Sequence, residues 1–358
     1  MAETTRLRVT RRGSLSASQS VDVSLRTDLS RRPGPAFMNT AWSLVASCVL
    51  AALLMPWTSP SITPAAVQTS PPDPAAWYLE RIGAPPEHLQ PATPVIVAVI
   101  DAGVDTSAPL LQGRIADTVN IVAPDPLRDQ SGHGTHTAGI IAAHADASGI
   151  RGICRGCRLL ILKAITNDGY GSDLTVARAI AIAIERGASV INLSIGGPSD
   201  TPAIRNAIAD AIAQDIVVVA AAGNTSGKGQ QRSYPAAYPG VIAVSAIDQS
   251  NHLAAFARPD ASVDLVAPGV GIFNIDTSAT GMGSADGTST AAPQVSAAAA
   301  LMRAAYPAAS AAEIRSALLH SATDLGPPGR DDSYGYGLLH IPRALAVLKR
   351  ARTHMPPR

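Results

Sequence analysis

Three side chains whose types can share one reaction stand far apart in this 358-residue sequence: a carboxylate, an imidazole and a hydroxyl. Ser289 lies in Gly287-Thr288-Ser289-Thr290-Ala291-Ala292-Pro293, ahead of an alanine-rich run, residues 295–305, with helical character. At a helix N-terminus a serine meets unpaired backbone N–H groups and the positive end of the helix dipole. Those surroundings suit a nucleophile whose reaction develops an oxyanion, although a plain helix cap has the same composition. His133 stands between glycines in Ser131-Gly132-His133-Gly134-Thr135-His136, at the mouth of a second helix. Asp101 follows the apolar run 95–100. An imidazole can take the proton a serine must lose before it attacks, and a carboxylate can orient that imidazole.

These residues need a scaffold that brings them together. The unbroken apolar run 95–100 reads as a strand buried on both faces, and further largely apolar runs follow at 159–165, 190–195, 216–222 and 241–245. Helix-like stretches lie between them, notably 173–186 and 202–213. The alternation predicts an α/β fold: a three-layer, doubly wound, mostly parallel sheet with helices on both faces. In such sheets active groups gather beyond the carboxyl ends of the strands. Asp101 and Asn224 both occupy such ends.

Composition narrows the function. The chain is 46% hydrophobic and 15% charged, enough for a large core. A formal charge of +1 gives no electrostatic case for nucleic-acid binding. Aromatics are only 4%, so the core must be packed from Ala, Val, Ile and Leu. Residues 1–40 read as a disordered basic tail. Residues 41–57 are a charge-free apolar run, a signal peptide or a signal-anchor transmembrane helix, and the arginines before it place the N-terminus in the cytosol and the rest outside. The prolines at 60 and 64 that disturb the cleavage positions, and the 40-residue lead before the run, favour a retained anchor over cleavage and secretion. Residues 58–75 form a proline-rich linker, 76–345 the main domain and 346–358 a C-terminal tail. The wider proline-rich stretch is too short and aperiodic to fold as a separate prosegment.

The order Asp101, His133, Ser289 is that of subtilisin. VAVIDAGVD, SGHGTHTAG and GTSTAAP resemble the three signature blocks of the subtilisin-like serine proteases. VINLSIGG, VVVAAAGN, YPAAYPGVIAVSAID, VAPG and YGYGLLHIPRAL resemble further segments of that family, in the same order and over about residues 76–345. The resemblance implies a serine endopeptidase with Ser289 as nucleophile, His133 as base and Asp101 as its orienting carboxylate. It assigns the base to His133 and leaves His136 a structural place. Asn224 would be the oxyanion donor, beside the Ser289 N–H. Gly169-Tyr170-Gly171 and Ser194-Ile195-Gly196 would be the two edges that clasp an extended substrate, and Ser233 would lie on the floor of the primary specificity pocket. The loop between Asn224 and Ser233 has two cations and no acid, so an apolar residue is expected in that pocket.

Departures from the family pattern are Ala102, Thr290 and Gln294, at positions where a hydroxyl residue, Met and His are usual. None removes a catalytic group. No organic cofactor is implied. The family's calcium loop reads Ala143-His144-Ala145-Asp146-Ala147-Ser148-Gly149, where Asp146 could supply one ligand, but Leu110 stands about where the distant aspartate should be. Hard cations need six or more oxygens. Cys154 and Cys157, in C-x-x-C spacing, read as a local disulfide in an exported domain, with free thiols the alternative; zinc lacks two further ligands. The expected partner is a protein or peptide substrate, and the expected state a monomer. The rival readings are a catalytically silent binding module and a maturation protease with a single target.

Overall fold

The computed structural model describes residues 6–8, 76–85, 94–224 and 232–353. The apolar run 41–57, the linker 58–75 and most of the basic tail lie outside the described residues. Among the described residues no helix is long and apolar enough to cross a membrane.

In chain order the strands are β1 (Arg6–Arg8), β2 (Ile96–Asp101), β3 (Ile115–Asn120), β4 (Arg158–Lys163), β5 (Tyr170–Ser172) and β6 (Val190–Leu193), then β7 (Val217–Ala221), β8 (Ile242–Ile247), β9 (Leu265–Pro268), β10 (Ile272–Ile275) and β11 (Met282–Ala285). The helices are α1 (Trp77–Arg81), α2 (His133–Ala142), α3 (Asp173–Glu185), α4 (Pro202–Ala213), α5 (Thr288–Ala305), α6 (Ala311–His320) and α7 (Ile341–Thr353).

Seven strands form one sheet in the order β3-β4-β2-β6-β7-β8-β9, and every pairing in it is parallel. Because side chains alternate along a strand, each central strand feeds two cores. Val97, Val99, Leu159 and Ile161 face α2, α5, α6 and α7, whereas Ala98, Ile100, Leu160 and Leu162 face α3 and α4. The expected three layers are present, with a sheet that is parallel throughout. The order reverses about β2: β4 lies on one side and β6 on the other. That reversal opens a crevice at the carboxyl ends of β2 and β6.

Two helices deliver residues to this crevice. Helix α5 starts at Thr288, seven residues before the alanine-rich run, so Ser289 lies inside its first turn. It is buried almost continuously from Thr288 to Met302. Its alanines make it thin enough to lie on the sheet and apolar on all sides, as a helix with no solvent face must be. Helix α2 begins at His133, and Gly132 before it has φ 77°, a left-handed turn that glycine adopts without strain. Gly134 lets this helix close on the turn after β2, since a Cβ there would stand 2.1 Å from the Gly103 carbonyl oxygen.

Part of the stretch read as a disordered tail is extended: Arg6–Arg8 pairs antiparallel with Tyr170–Ser172. The physical reason is that β5 belongs to no larger sheet, and an open edge recruits any extended segment that can satisfy its N–H and C=O groups. The aromatic patch at Trp77, Tyr78 and Leu79 is buried helix α1. Burial pushes the Tyr78 hydroxyl up to about 12, and it accepts a hydrogen bond from Asn274 at 3.0 Å.

Gly134→Ala should destabilise the domain by about 1–3 kcal/mol, because the clash is with backbone that cannot rotate away. Chemical denaturation of the variant against the parent protein measures it.

Candidate active site

Asp101 ends β2 and its carboxylate is fully buried. Oδ1 accepts the N–H of Ala102 at 2.7 Å and lies 2.8 Å from His133 Nδ1. Thr137 Oγ1 donates to Oδ2 at 3.4 Å. A carboxylate that only accepts requires the proton on Nδ1, so Nε2 is the ring nitrogen that can take up a proton. The substitution at Ala102 therefore does not leave the carboxylate unsupported: its own backbone N–H takes part.

The turn that presents His133 is built by Asp129, which is also buried. Its Oδ1 accepts the N–H groups of Ser131 and Gly132, both at 2.9 Å, and the Ser131 hydroxyl at 2.7 Å. Its Oδ2 accepts the N–H and hydroxyl of Thr135, both at 2.9 Å. One carboxylate thus ties the turn before α2 to the Thr135 N–H in its first turn and brings a negative charge to the positive end of its dipole. His136 points the other way and bonds the Ile272 carbonyl from within the core at 2.9 Å.

Ser289 is held by a gap in its own helix. Pro293 sits four residues on, inside α5, and has no N–H for the Ser289 carbonyl. The Ser194 hydroxyl donates to that carbonyl instead, at 2.8 Å. Ser194 in turn accepts from Asn192 Nδ2 at 3.0 Å, and Asn192 Oδ1 accepts from Ser296 at 2.8 Å. The chain of buried polar groups fastens α5 to the end of β6.

Asn224 follows β7. Its Oδ1 accepts both the N–H and the hydroxyl of Thr288 at 3.0 Å, and that hydroxyl accepts the Gly223 N–H at 3.1 Å. With the amide oxygen so fixed, Nδ2 faces the space beside Gly287. A Cβ built on Gly287 would lie 2.7 Å from Ser289 Oγ, 3.3 Å from Asn224 Nδ2 and 3.5 Å from the Ser289 nitrogen. One hydroxyl and two donors therefore converge on a single atom-sized space.

The remaining residues line the surroundings. Ile195 is buried, and Gly196 lies against Ser233, whose Oγ would be 2.4 Å from a Cβ there. Ser233 also approaches Gly223, at 3.0 Å from a Cβ on that residue. Ser233 thus stands between the 194–196 edge and the turn into Asn224. On the other edge Gly169 and Gly171 flank half-exposed Tyr170. Gly171 fits because a Cβ would meet Ile165 Cδ1 at 2.3 Å. Ser172 closes the edge by capping α3 with Thr175.

At the loop of Asp146, Oδ1 accepts the N–H and hydroxyl of Ser148 at 3.1 and 2.6 Å, and His144 Nδ1 is 3.1 Å from the Arg114 guanidinium. Among the described residues no three His, Cys, Asp or Glu side chains gather as metal ligands. Cys154 and Cys157 form a disulfide.

Residues 92–337 match the subtilase family. The chain belongs to that family. It is accordingly a serine endopeptidase, a hydrolase. It is 38% identical over 270 residues to subtilisin amylosacchariticus from Bacillus subtilis subsp. amylosacchariticus, an alignment that covers 74% of this chain and 70% of that one. Subtilisin Savinase from Lederbergia lenta is 38% identical over 271 residues, covering 75% and 97%. Among solved structures it is similar to fervidolysin from Fervidobacterium pennivorans, a keratinolytic enzyme related to subtilisin, with TM-score 0.69 and 32% identity. That match covers 75% of this chain and 45% of fervidolysin.

Sequence reasoning passed over Asp129, Thr288 and Asn192, all ordinary polar residues until their partners are known. The one available signal was Pro293 inside a helical run, which demands a donor for the carbonyl four residues back.

Ser194→Ala orphans the Ser289 carbonyl and the Asn192 amide, at a cost of about 1–3 kcal/mol. A fall in both the unfolding midpoint and kcat is expected, with Ser194→Thr restoring most of each; thermal melts and initial rates on a peptide substrate check it.

Proposed function

We propose that the chain hydrolyses peptide bonds through Asp101, His133 and Ser289, with Asn224 and the Ser289 N–H as the oxyanion hole. The observation that carries this reading is the convergence of Ser289 Oγ, Asn224 Nδ2 and the Ser289 nitrogen beside Gly287, together with the buried Asp101–His133 bond. Ser289 Oγ attacks the substrate carbonyl carbon and its proton passes to His133 Nε2. The carbonyl oxygen gains the negative charge and accepts from the two donors. His133 then gives the proton to the leaving amine as the C–N bond breaks, and water repeats the sequence on the acyl-enzyme. Asp101 stabilises the imidazolium throughout. No step calls for a metal or an organic cofactor.

The substrate is a protein or peptide bound in extended form between Gly169–Gly171 and Ser194–Gly196. That β5 already accepts Arg6–Arg8 as an antiparallel strand supports this mode. A silent binding module would have no use for a buried carboxylate, an aimed imidazole and two converged donors. The apolar run 41–57 after a basic stretch supports export of the domain.

Labelling by a serine-directed fluorophosphonate is expected in the parent protein and in Asn224→Ala, and absent in Ser289→Ala. Asn224→Ala should keep KM and lose about 10²–10³ in kcat, the magnitude known from subtilisin itself for this donor. Labelling of Ser289→Ala at the parent rate would end this assignment.

Ser233 also sets specificity. It is a small hydroxyl residue at the junction of Gly196 and Gly223, and burial of an apolar side chain there gains roughly 25 cal/mol per Å². Cleavage after Leu, Phe, Tyr or Met is expected, with Lys and Arg disfavoured. Ser233→Asp should admit Lys and Arg by supplying a counter-charge. A peptide-library profile of both proteins decides, and fastest turnover by the parent after Arg or Lys would overturn the assignment.

A further inference from the structure

The turn that carries Asp101 is tied down by a cation that the proposed reaction does not use. Lys163 ends β4 directly beside Asp101 in the parallel register, and its side chain is wholly buried. Lysine is almost never fully buried unless paired. Here Nζ lies 3.0 Å from Asp125 Oδ2, and it donates to the Ala102 carbonyl at 2.5 Å and to Asn167 Oδ1 at 3.2 Å.

Each partner leads to a different part of the site. Ala102 follows Asp101 and gives its own N–H to the Asp101 carboxylate. Asn167 Oδ1 also accepts the Gln130 N–H at 2.9 Å, on the approach to His133. The Asn167 N–H donates to Asp125 Oδ2 at 3.1 Å, and the chain continues from Asn167 into the Tyr170–Ser172 edge. Asn120 Nδ2 holds the Asp125 carbonyl at 2.6 Å, which fixes the loop after β3. Packing tightens the same point: a Cβ on Gly103 would meet the Leu127 carbonyl oxygen at 2.2 Å and Lys163 Cδ at 3.3 Å.

We propose that Lys163, neutralised by Asp125, is a positioning residue for catalysis, locking the Asp101 turn, the approach to His133 and the substrate edge into one rigid unit. The proposal rests on the triad reading above. An ammonium suits the role because three donors diverge from one compact atom. Methionine would fill the same volume and supply none of them. The planar fork of arginine could not reach the three acceptors from the same stem. The charge itself need not act on the substrate; what matters is that the Asp101 carboxylate cannot drift from His133 Nδ1. Small misplacements of a catalytic group are expensive in rate, with about 1 Å costing on the order of 100-fold.

The test uses the full chain carrying Lys163→Met, and separately Asp125→Asn, whose site is part-exposed and whose amide oxygen can still accept from Nζ. The substrate is a single-residue ester, too short to reach β5. In Lys163→Met, kcat should fall about 10–100-fold with KM changed far less. The low-field proton resonance of the Asp101–His133 bond should shift or broaden. Asp125→Asn should move both readouts in the same direction by a smaller amount. Ile204→Ala, a buried position of α4 that makes none of the hydrogen bonds described for the site, controls for destabilisation and should leave kcat and the resonance unchanged. The proposal is overturned if folded Lys163→Met or Asp125→Asn keeps the parental kcat and resonance. It is also overturned if Ile204→Ala loses kcat in the same proportion to its loss of thermal midpoint. If Lys163→Met does not fold, Asp125→Asn decides. Retention of activity by Ser289→Ala would instead bring down the triad reading, and this proposal with it.

Discussion

The structure depends on keeping one carboxylate, Asp101, out of water at the end of the central strand. An ion taken from water into a protein interior costs several kcal/mol even after relaxation. It persists there only where donors surround it. Ala102, His133 and Thr137 supply them, and two of the three come from α2. Helix α2 must therefore lie within hydrogen-bond reach of the end of β2. Gly134 removes the one side chain that would prevent it, and Asp129 satisfies the helix end that this approach buries. The same requirement explains why the contacts proposed to serve the reaction are also contacts that pack the fold.

A second constraint acts on α5. A nucleophile near the start of a helix gains from the free N–H groups there, but a helix packed on a sheet mostly through alanines can slide or rotate. Pro293 breaks the hydrogen-bond ladder at the carbonyl of Ser289, and Ser194 completes it from β6. The helix is thereby registered against the sheet at the residue where placement matters. Thr288 does the same for Asn224, binding its amide oxygen with two donors. Both devices use a local defect or a local polar group to set the position of a neighbour, which is how a site is held to a fraction of an ångström by elements that are individually soft.

Membership of the subtilase family accounts for the architecture, and the chain's own departures from the family show how it is maintained. Ala102 lacks a hydroxyl yet its N–H holds the carboxylate. Gln294 is fully buried and bonds the carbonyls of Pro268 and Thr290 at 2.6 and 3.0 Å. In each case a different atom fills the same physical need.

The sequence by itself determined a good deal. Apolar runs marked β2, β4, β6, β7 and β8 to within a few residues, because a strand buried on both faces is built mostly of apolar side chains. It also offered the residue types proposed to react and their order, since Asp101, His133, Ser289 and Asn224 all sit at strand ends or helix starts that local pattern reveals. β3 escaped notice: its Ala-Asp-Thr core has no unbroken apolar run, since it is an edge strand with partly exposed faces. Helix α5 began earlier than its alanines suggested, because burial carried it through Thr288 and Pro293 against their propensities. Only the tertiary structure decided the rest. Lys163 lies within an apolar strand as a buried cation because Asp125, Asn167 and Ala102 arrive from three other segments. Asp129 and Thr288 acquire their roles in the same way. Strand and helix patterns are local and can be read from neighbours in the chain; hydrogen-bond partners are set by which segments the sheet order brings together, and that information exists only once the chain has folded.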